Sequence, residues 1–281
     1  MTHKRIGYYP DTKAPASITG ADQLLIEIGC DQVVLLVKGQ LPKQPEAFEV
    51  FETDTFKHKW ADVLAGIKKG SQLLGRTYQR VDVHYNLPDA LLVPGSKFTP
   101  ESGRDYLDQI YGDNSGDPTG YESLLSTDII VSYRIKKAVS EWVQREFPSH
   151  KPSHIYTGML DELLSRKLPS DNFVAIRFYT KHMVIAVLKN KALQLVQSFN
   201  YEVEEDILYY LLSIIQQFEL DPALTHAEIT GQLDKRSGIA LQLPNLFNNI
   251  KWDESGNTGI FLKVSADHPA HYFTAYYKMG V

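Results

Sequence analysis

Residues 172–233 carry two kinds of periodicity in a fixed order, and that order restricts the chain to few architectures. Residues 173–179 alternate, with Val174, Ile176 and Phe178 on one face. Residues 183–188 are an apolar run rich in β-branched side chains, and Lys181-His182 between the runs predicts a tight hairpin. Asn190-Lys191 marks a second turn, and residues 192–199 supply a third strand. The period then changes: Ile207, Leu208, Leu211, Ile215 and Phe218 recur at helical spacing. Glu204, Glu205 and Asp206 fall in the first turn, where the helix dipole favours negative charge. Asp221-Pro222 stops the helix, and residues 226–233 return to strand. The order is three antiparallel strands, a crossover helix and a fourth strand.

Residues 23–85 repeat it. Two apolar runs, 23–28 and 32–37, are parted by Gly29, Cys30 and Asp31, a hairpin signal. Phe48, Val50 and Phe51 place a strand within 46–55. Trp60, Val63, Leu64, Ile67 and Leu74 give helical spacing ending at Gly75, and residues 80–85 alternate. No residue-level identity accompanies the repeat, so it is one of element order.

Between the two copies, residues 90–94 are a short apolar run. A helix follows, with Thr99 as N-cap, Pro100 at the first position and Glu101 in the first turn. Residues 112–120 read as a loop, 128–135 as a strand, and 136–147 as a helix with Ala138, Val139, Trp142 and Val143 as its stripe. Polar residues 148–152 contain two prolines and suit a boundary between lobes. A strand over 154–157 and a helix over 159–168 lead into the second copy. Beyond it, residues 237–243 suit a helix stopped by Pro244, and 246–252 a last strand. Phe261, Val264, Phe273, Tyr276 and Tyr277 are expected to pack the C-terminal segment down. Residues 1–21 are polar, a tail or an added edge segment, and 41–45 a Pro-rich loop.

Composition narrows the function classes. The 281 residues are 43% hydrophobic and 22% charged, ordinary for a globular protein. Net charge is −5, without a basic excess or a Lys/Arg run to suggest nucleic acid. Cys30 is the only cysteine, which excludes an intramolecular disulfide and disfavours a Cys-based zinc site. No apolar core of a signal peptide is visible. The longest candidate membrane segment, 207–218, is short and interrupted by Ser213, Gln216 and Gln217. The expectation is a cytoplasmic protein without membrane insertion.

Several stretches resemble a bacterial family, a domain of unknown function with an actin-like ATPase fold. They are Ala90-Leu-Leu-Val-Pro94 followed by Phe98; Glu141-Trp-Val-Gln-Arg-Glu-Phe-Pro148; His154-Ile-Tyr-Thr-Gly-Met-Leu-Asp-Glu162; and Gln197-Ser-Phe-Asn-Tyr201 leading into Asp206-Ile-Leu-Tyr-Tyr-Leu-Leu212. The likeness runs from about residue 24 to about residue 252. Element order is also similar to the pilus-assembly ATPases of that superfamily. The resemblance implies an α/β, actin-like ATPase fold: two ribonuclease-H-like units near 21–150 and 151–281, each with a mixed sheet and flanking helices, a cleft between them, and a tail over 1–20. It supplies no activity.

Actin-like ATPases grip phosphate with the turn between the first two strands of each half, usually Asp-x-Gly followed by a small hydroxyl residue. Glycine admits the phosphate to the backbone N–H groups, and the carboxylate positions metal-bound water. The first half has Glu27 in the acid's place, keeps Gly29, and puts Cys30 where the hydroxyl would be. The second half has Arg177 for the acid and Tyr179 for the glycine, and a phenol there fills the space a phosphate needs. The adenosine-side turn, normally with paired glycines, has Gly231 alone. If a nucleotide binds, Glu27, Gly29 and Gly231 are its candidate residues, with ATP and Mg as cofactors; otherwise Glu27 and Gly29 simply make a hairpin, and no cofactor is expected. Arg177 and Lys181 suit an anion, or solvent and pairing within the sheet.

Other constellations are weaker. His268-Pro-Ala-His271 places two imidazoles at i, i+3, but zinc wants three or four ligands; the plainer reading is two surface histidines. Gly112-Asp-Asn-Ser-Gly-Asp117 lacks the elbow and the placed His of a serine hydrolase. As a calcium loop it has Pro118 where glycine is needed and Leu124 in place of the last Glu. Asp113–Asp117 is most simply a solvated turn. Two functional readings remain: a degenerate actin-like protein that binds another protein as partner or scaffold, and an ATP-binding switch or kinase-like enzyme using the cleft. Position 179 separates them, by whether its side chain occupies the phosphate space or leaves the backbone open.

Overall fold

The computed structural model describes residues 3–9, 22–39, 45–55, 57–264 and 268–279. Most of the polar stretch before residue 22 and the Pro-rich loop after 39 therefore lie outside the described residues. The chain divides into two compact units, one running to Asp161 and the other from Glu162 to Met279.

The first unit is built on a six-stranded sheet. β1 (His3–Tyr8) is its edge, so this part of the N-terminal stretch is an added strand. β2 (Gln23–Gly29), β3 (Gln32–Lys38) and β4 (Pro45–Glu52) follow as an antiparallel meander. β2 and β3 are buried nearly throughout, which is why they read as continuous apolar runs rather than alternations. α1 (Trp60–Gly70) crosses over, burying Val63, Leu64 and Ile67, and β5 (Arg80–Asn86) returns parallel to β2. α1 stops short of the expected Gly75: Ser71 is extended, and its N–H donates to Ile67 O at 2.8 Å.

A three-stranded sheet is inserted next. It contains β6 (Ala90–Pro94), β7 (Thr119–Ser123) and β8 (Ile129–Arg134), with β8 central, and α2 (Pro100–Tyr111) between β6 and β7. Thr99 caps α2: its hydroxyl accepts from Ser102 N, and the Ser102 hydroxyl accepts from Thr99 N. α3 (Lys137–Glu146) leads back to β9 (Lys151–His154), which joins the main sheet parallel to β5. α4 (Ile155–Ser165) begins at once, where the sequence suggested a strand. His154 explains the early start, since its Nδ1 accepts from Tyr156 N at 3.2 Å and so caps the helix.

The second unit repeats the core. β10 (Phe173–Phe178), β11 (His182–Lys189) and β12 (Ala192–Asn200) form the meander, and α5 (Glu204–Gln217) crosses over. β13 (His226–Gly231) and β14 (Asn249–Trp252) add in parallel, with α6 (Gly238–Gln242) between them. The sheet order β12-β11-β10-β13-β14 matches β4-β3-β2-β5-β9 strand for strand. Asn190 and Lys191 have φ of 53° and 65°, the paired left-handed conformation of the tight turn that suits strand twist. The core places Ile207, Leu211 and Ile214 of α5 against Val174, Ile176, Phe178, Met183 and Ile185. Ile214, not Ile215, completes the buried stripe; Ile215 sits at its margin. Two short helices, α7 (Ile260–Val264) and α8 (Thr274–Lys278), close the chain, with Phe261 and Phe273 stacked at 5.3 Å. Among the described residues no helix is long and apolar enough to cross a membrane.

Candidate functional site

In the first unit, Glu27 and Gly29 share the last turns of β2 and meet at Asn86, the end of β5. Register sets Gly29 beside Asn86. The Asn86 amide donates to Glu27 Oε1 at 3.0 Å, inside the sheet, with Glu27 buried. A Cβ on Gly29 would sit 3.2 Å from Gln32 O and 3.4 Å from Asn86 Nδ2. Glycine thus leaves room both for the tight turn and for the amide that reaches Glu27. The turn itself is tied down from the far side: Cys30 O accepts from the Thr53 and Thr55 hydroxyls, each at 3.0 Å, and Asp31 O accepts from Thr53 N at 2.8 Å. Burial pushes the Cys30 thiol up to about 11, so it stays protonated and unreactive at neutral pH.

The equivalent turn of the second unit is filled. Tyr179 is 1% exposed, and its ring stacks on His182 at 4.3 Å with the planes 6° apart. Its N–H donates to His182 O at 2.8 Å, and its carbonyl accepts from the Tyr201 hydroxyl. Arg177 is half-buried in β10, while Lys181 is exposed in the turn. Gly231 ends β13 with φ +86°, and any Cβ would run into Phe178 O of the neighbouring β10. That carbonyl accepts from Gln232 N at 2.8 Å, so the close approach is part of the sheet's ending. Glu27 and Gly29 therefore lie together in one unit, and Gly231 belongs to the other.

The family of proteins of unknown function DUF3822 matches residues 11–250. The chain belongs to this family. Among curated proteins none matches it. Among solved structures, a Bacteroides thetaiotaomicron protein with an actin-like ATPase fold and unknown function superimposes with a TM-score of 0.77. The two are 15% identical over 90% of this chain and 98% of that one. The PilM–PilN type IV pilus biogenesis complex gives a TM-score of 0.60 at 13% identity, covering 94% of this chain and 100% of that one. The DUF3822 chain has the actin-like ATPase fold, and its duplicated sheet order is the internal sign of it.

Several polar residues of this DUF3822 member escape a sequence reading. Asp117, expected in a solvated turn, is 8% exposed. Its Oδ1 accepts from Lys137 N at 2.8 Å, capping α3 from a distance, and Asn114 Nδ2 donates to its other oxygen at 2.9 Å. Lys136 links Asp117 and Asp89, at 3.3 and 3.5 Å. Arg134, buried in β8, pairs with Asp89 and Asp108. This ladder of two bases and three acids lies near Cys30, whose thiol is affected by Lys136 and Asp89. The bases are therefore answered within the protein. The sequence signal was only the alternation of Arg134 and Lys136 about Ile135.

His271, read as a surface histidine, is instead fully buried. Its Nε2–H donates to Leu233 O at 2.7 Å, and Trp252 lies 4.6 Å from its ring. It pins the turn after β13, which is a structural role. Among the described residues no three His, Cys, Asp or Glu side chains converge as a metal site.

Proposed function

We propose that this DUF3822 member acts by binding another protein and does not turn over ATP. The observation that carries the reading is the β10–β11 turn. There the Tyr179 ring is buried against His182 and its own N–H is donated to His182 O, so the position of the phosphate-binding glycine offers an anion neither space nor its N–H. In the first unit, Glu27 is hydrogen-bonded by Asn86 within the sheet. Gly29 and Gly231 both have packing reasons to be glycine, which removes them as independent signs of a nucleotide. Support for a protein partner comes from likeness to PilM, which is found in complex with PilN. Calorimetric titration of ATP–Mg²⁺ into the purified chain is expected to show no saturable heat. A partner captured by cross-linking in the source cells should then bind the purified chain stoichiometrically. Saturable ATP–Mg²⁺ binding that Glu27→Ala abolishes would overturn the reading.

A further inference from the structure

The two units build the same sheet and end it differently. In the first, the outer side of β4 is covered by β1, and the cover is anchored at the buried Glu49. Lys4 Nζ donates to Glu49 Oε1 at 2.7 Å, joined by the Tyr9 hydroxyl and by Gln72 N at 3.0 Å, while the Ser71 hydroxyl donates to Oε2 at 2.6 Å. β12 holds the same place in the second unit. Pairing outward from each hairpin turn sets Val33 against Phe51 and Met183 against Phe199. Two residues on, Leu35 faces Glu49 and Ile185 faces Gln197, so Gln197 is the counterpart of Glu49. Among the described residues no strand lies outside β12.

That edge lacks the usual protections. Natural edge strands carry charges, prolines or strong irregularities that discourage further pairing. Residues 194–200 read Gln-Leu-Val-Gln-Ser-Phe-Asn, with no charge, no proline and no glycine. The one register shift is at the start of the strand, before Leu195. Leu195 and Phe199 lean inward on the core under α5, and Phe199 lies 4.8 Å from Tyr210. Gln197, between them on the same face, is exposed.

We propose that β12 joins two copies of this chain in a two-fold dimer, pairing antiparallel with β12 of the second copy into one ten-stranded sheet. A two-fold contact needs a self-complementary surface, and this strand is one. Centred on Gln197, the pairing sets amide against amide and Leu195 opposite Phe199 on each side of the axis. An amide both donates and accepts, so it pairs with its own copy. A carboxylate cannot, and at Glu49 the edge is closed by a lysine-bearing strand instead. β1 of a second copy is a poor occupant of β12, because Lys4 would meet a neutral amide. Aliphatic–aromatic pairs across strands are favourable. The exposed Tyr209, 5.5 Å from Tyr210, extends the contact beyond the strand. The proposal concerns a second copy of this chain and stands or falls without the partner reading above.

Sedimentation velocity of the full chain across the micromolar range tests it. The wild type should sediment at twice the mass of one chain. Gln197→Lys, which sets two ammonium groups across the axis at an exposed position, should sediment as a monomer that still unfolds in one cooperative transition, with a melting temperature no longer dependent on protein concentration. Gln197→Cys should cross-link into a covalent dimer on mild oxidation, and Leu241→Cys, at a remote exposed site, should not. A monomeric wild type, or a dimer that survives Gln197→Lys, would overturn the assignment. So would a monomer that instead takes an extended peptide at this edge.

Discussion

At the residue scale, His154 shows how one buried side chain ties stability to pH. It is fully buried at the junction of β9 and α4, between Tyr133 at 5.2 Å and Tyr156 at 4.5 Å. Its Nδ1 accepts from Tyr156 N, so the ring proton sits on Nε2 and is donated to Leu87 O at 3.0 Å. Protonation would put a second hydrogen where the helix N–H points. Burial holds the imidazole down at about 4, against an ordinary value of 6.5. Between those values the unfolded chain binds a proton that the folded chain refuses. Stability therefore falls as pH drops from about 6.5 to about 4, by up to roughly 3 kcal/mol. His154→Gln keeps a donor for Leu87 O and removes the titration. Urea unfolding of the variant should lose stability less steeply over that pH range than the wild type. Parallel slopes would show that His154 does not govern it. Gly231 makes a conformational demand instead. Gly231→Ala meets both a positive φ and the Phe178 carbonyl, and should cost about 1–3 kcal/mol. Gly75→Ala, with nothing within 4 Å, should cost little. Their urea midpoints report the difference.

At the scale of elements, what could be read in the sequence follows from how each element meets its neighbours. The β2–β3 and β10–β11 hairpins were legible because apolar runs, alternating in β10 and continuous in the other three strands, are interrupted by short polar turns. β7 was not. Thr-Gly-Tyr-Glu-Ser is mostly polar and nowhere fully buried, and it is a strand because β8 lies beside it. The start of α4 was hidden because its cap is a histidine, outside the usual capping residues. In α5 the period was legible and its phase less so, since positions i+3 and i+4 both fall on one face. The structure separates them: Leu211 is fully buried, Ile214 nearly so, and Ile215 marginal. Leu211→Ala should cost roughly 2–5 kcal/mol, and Ile215→Ala distinctly less. Equal losses in chemical denaturation would mean that α5 is rotated from this placement. Of the candidate site, Glu27, Gly29 and Tyr179 could be named in advance from the hairpin turns. Asn86 and His182 could not, because their contacts depend on strand register and ring stacking, which spacing along the chain does not encode.

At the scale of the whole molecule, one topology occurs twice, and its two first turns differ in what they offer an anion. Phosphoryl transfer draws nearly all its catalysis from positioning and electrostatics, so it needs a held phosphate, a metal and an oriented water. The first turn has a glycine and a carboxylate, but the carboxylate accepts the Asn86 amide and the turn is fastened by Thr53 and Thr55. The second turn has a buried phenol ring in place of glycine, and Arg177 in place of an acid. A guanidinium offsets phosphate charge but does not orient water as a carboxylate does. The apolar faces that determine the fold are separate from the polar groups of these turns, so the fold by itself does not require a nucleotide there. Phosphate release from ATP–Mg²⁺ by the wild type should therefore equal the background, and Glu27→Ala should leave it unchanged. Tyr179→Gly opens the turn without supplying a carboxylate, and should gain no turnover even if weak nucleotide affinity emerges in calorimetry. Steady release by the wild type, abolished in Glu27→Ala and retained in the exposed-site control Leu241→Ala, would make this an active ATPase.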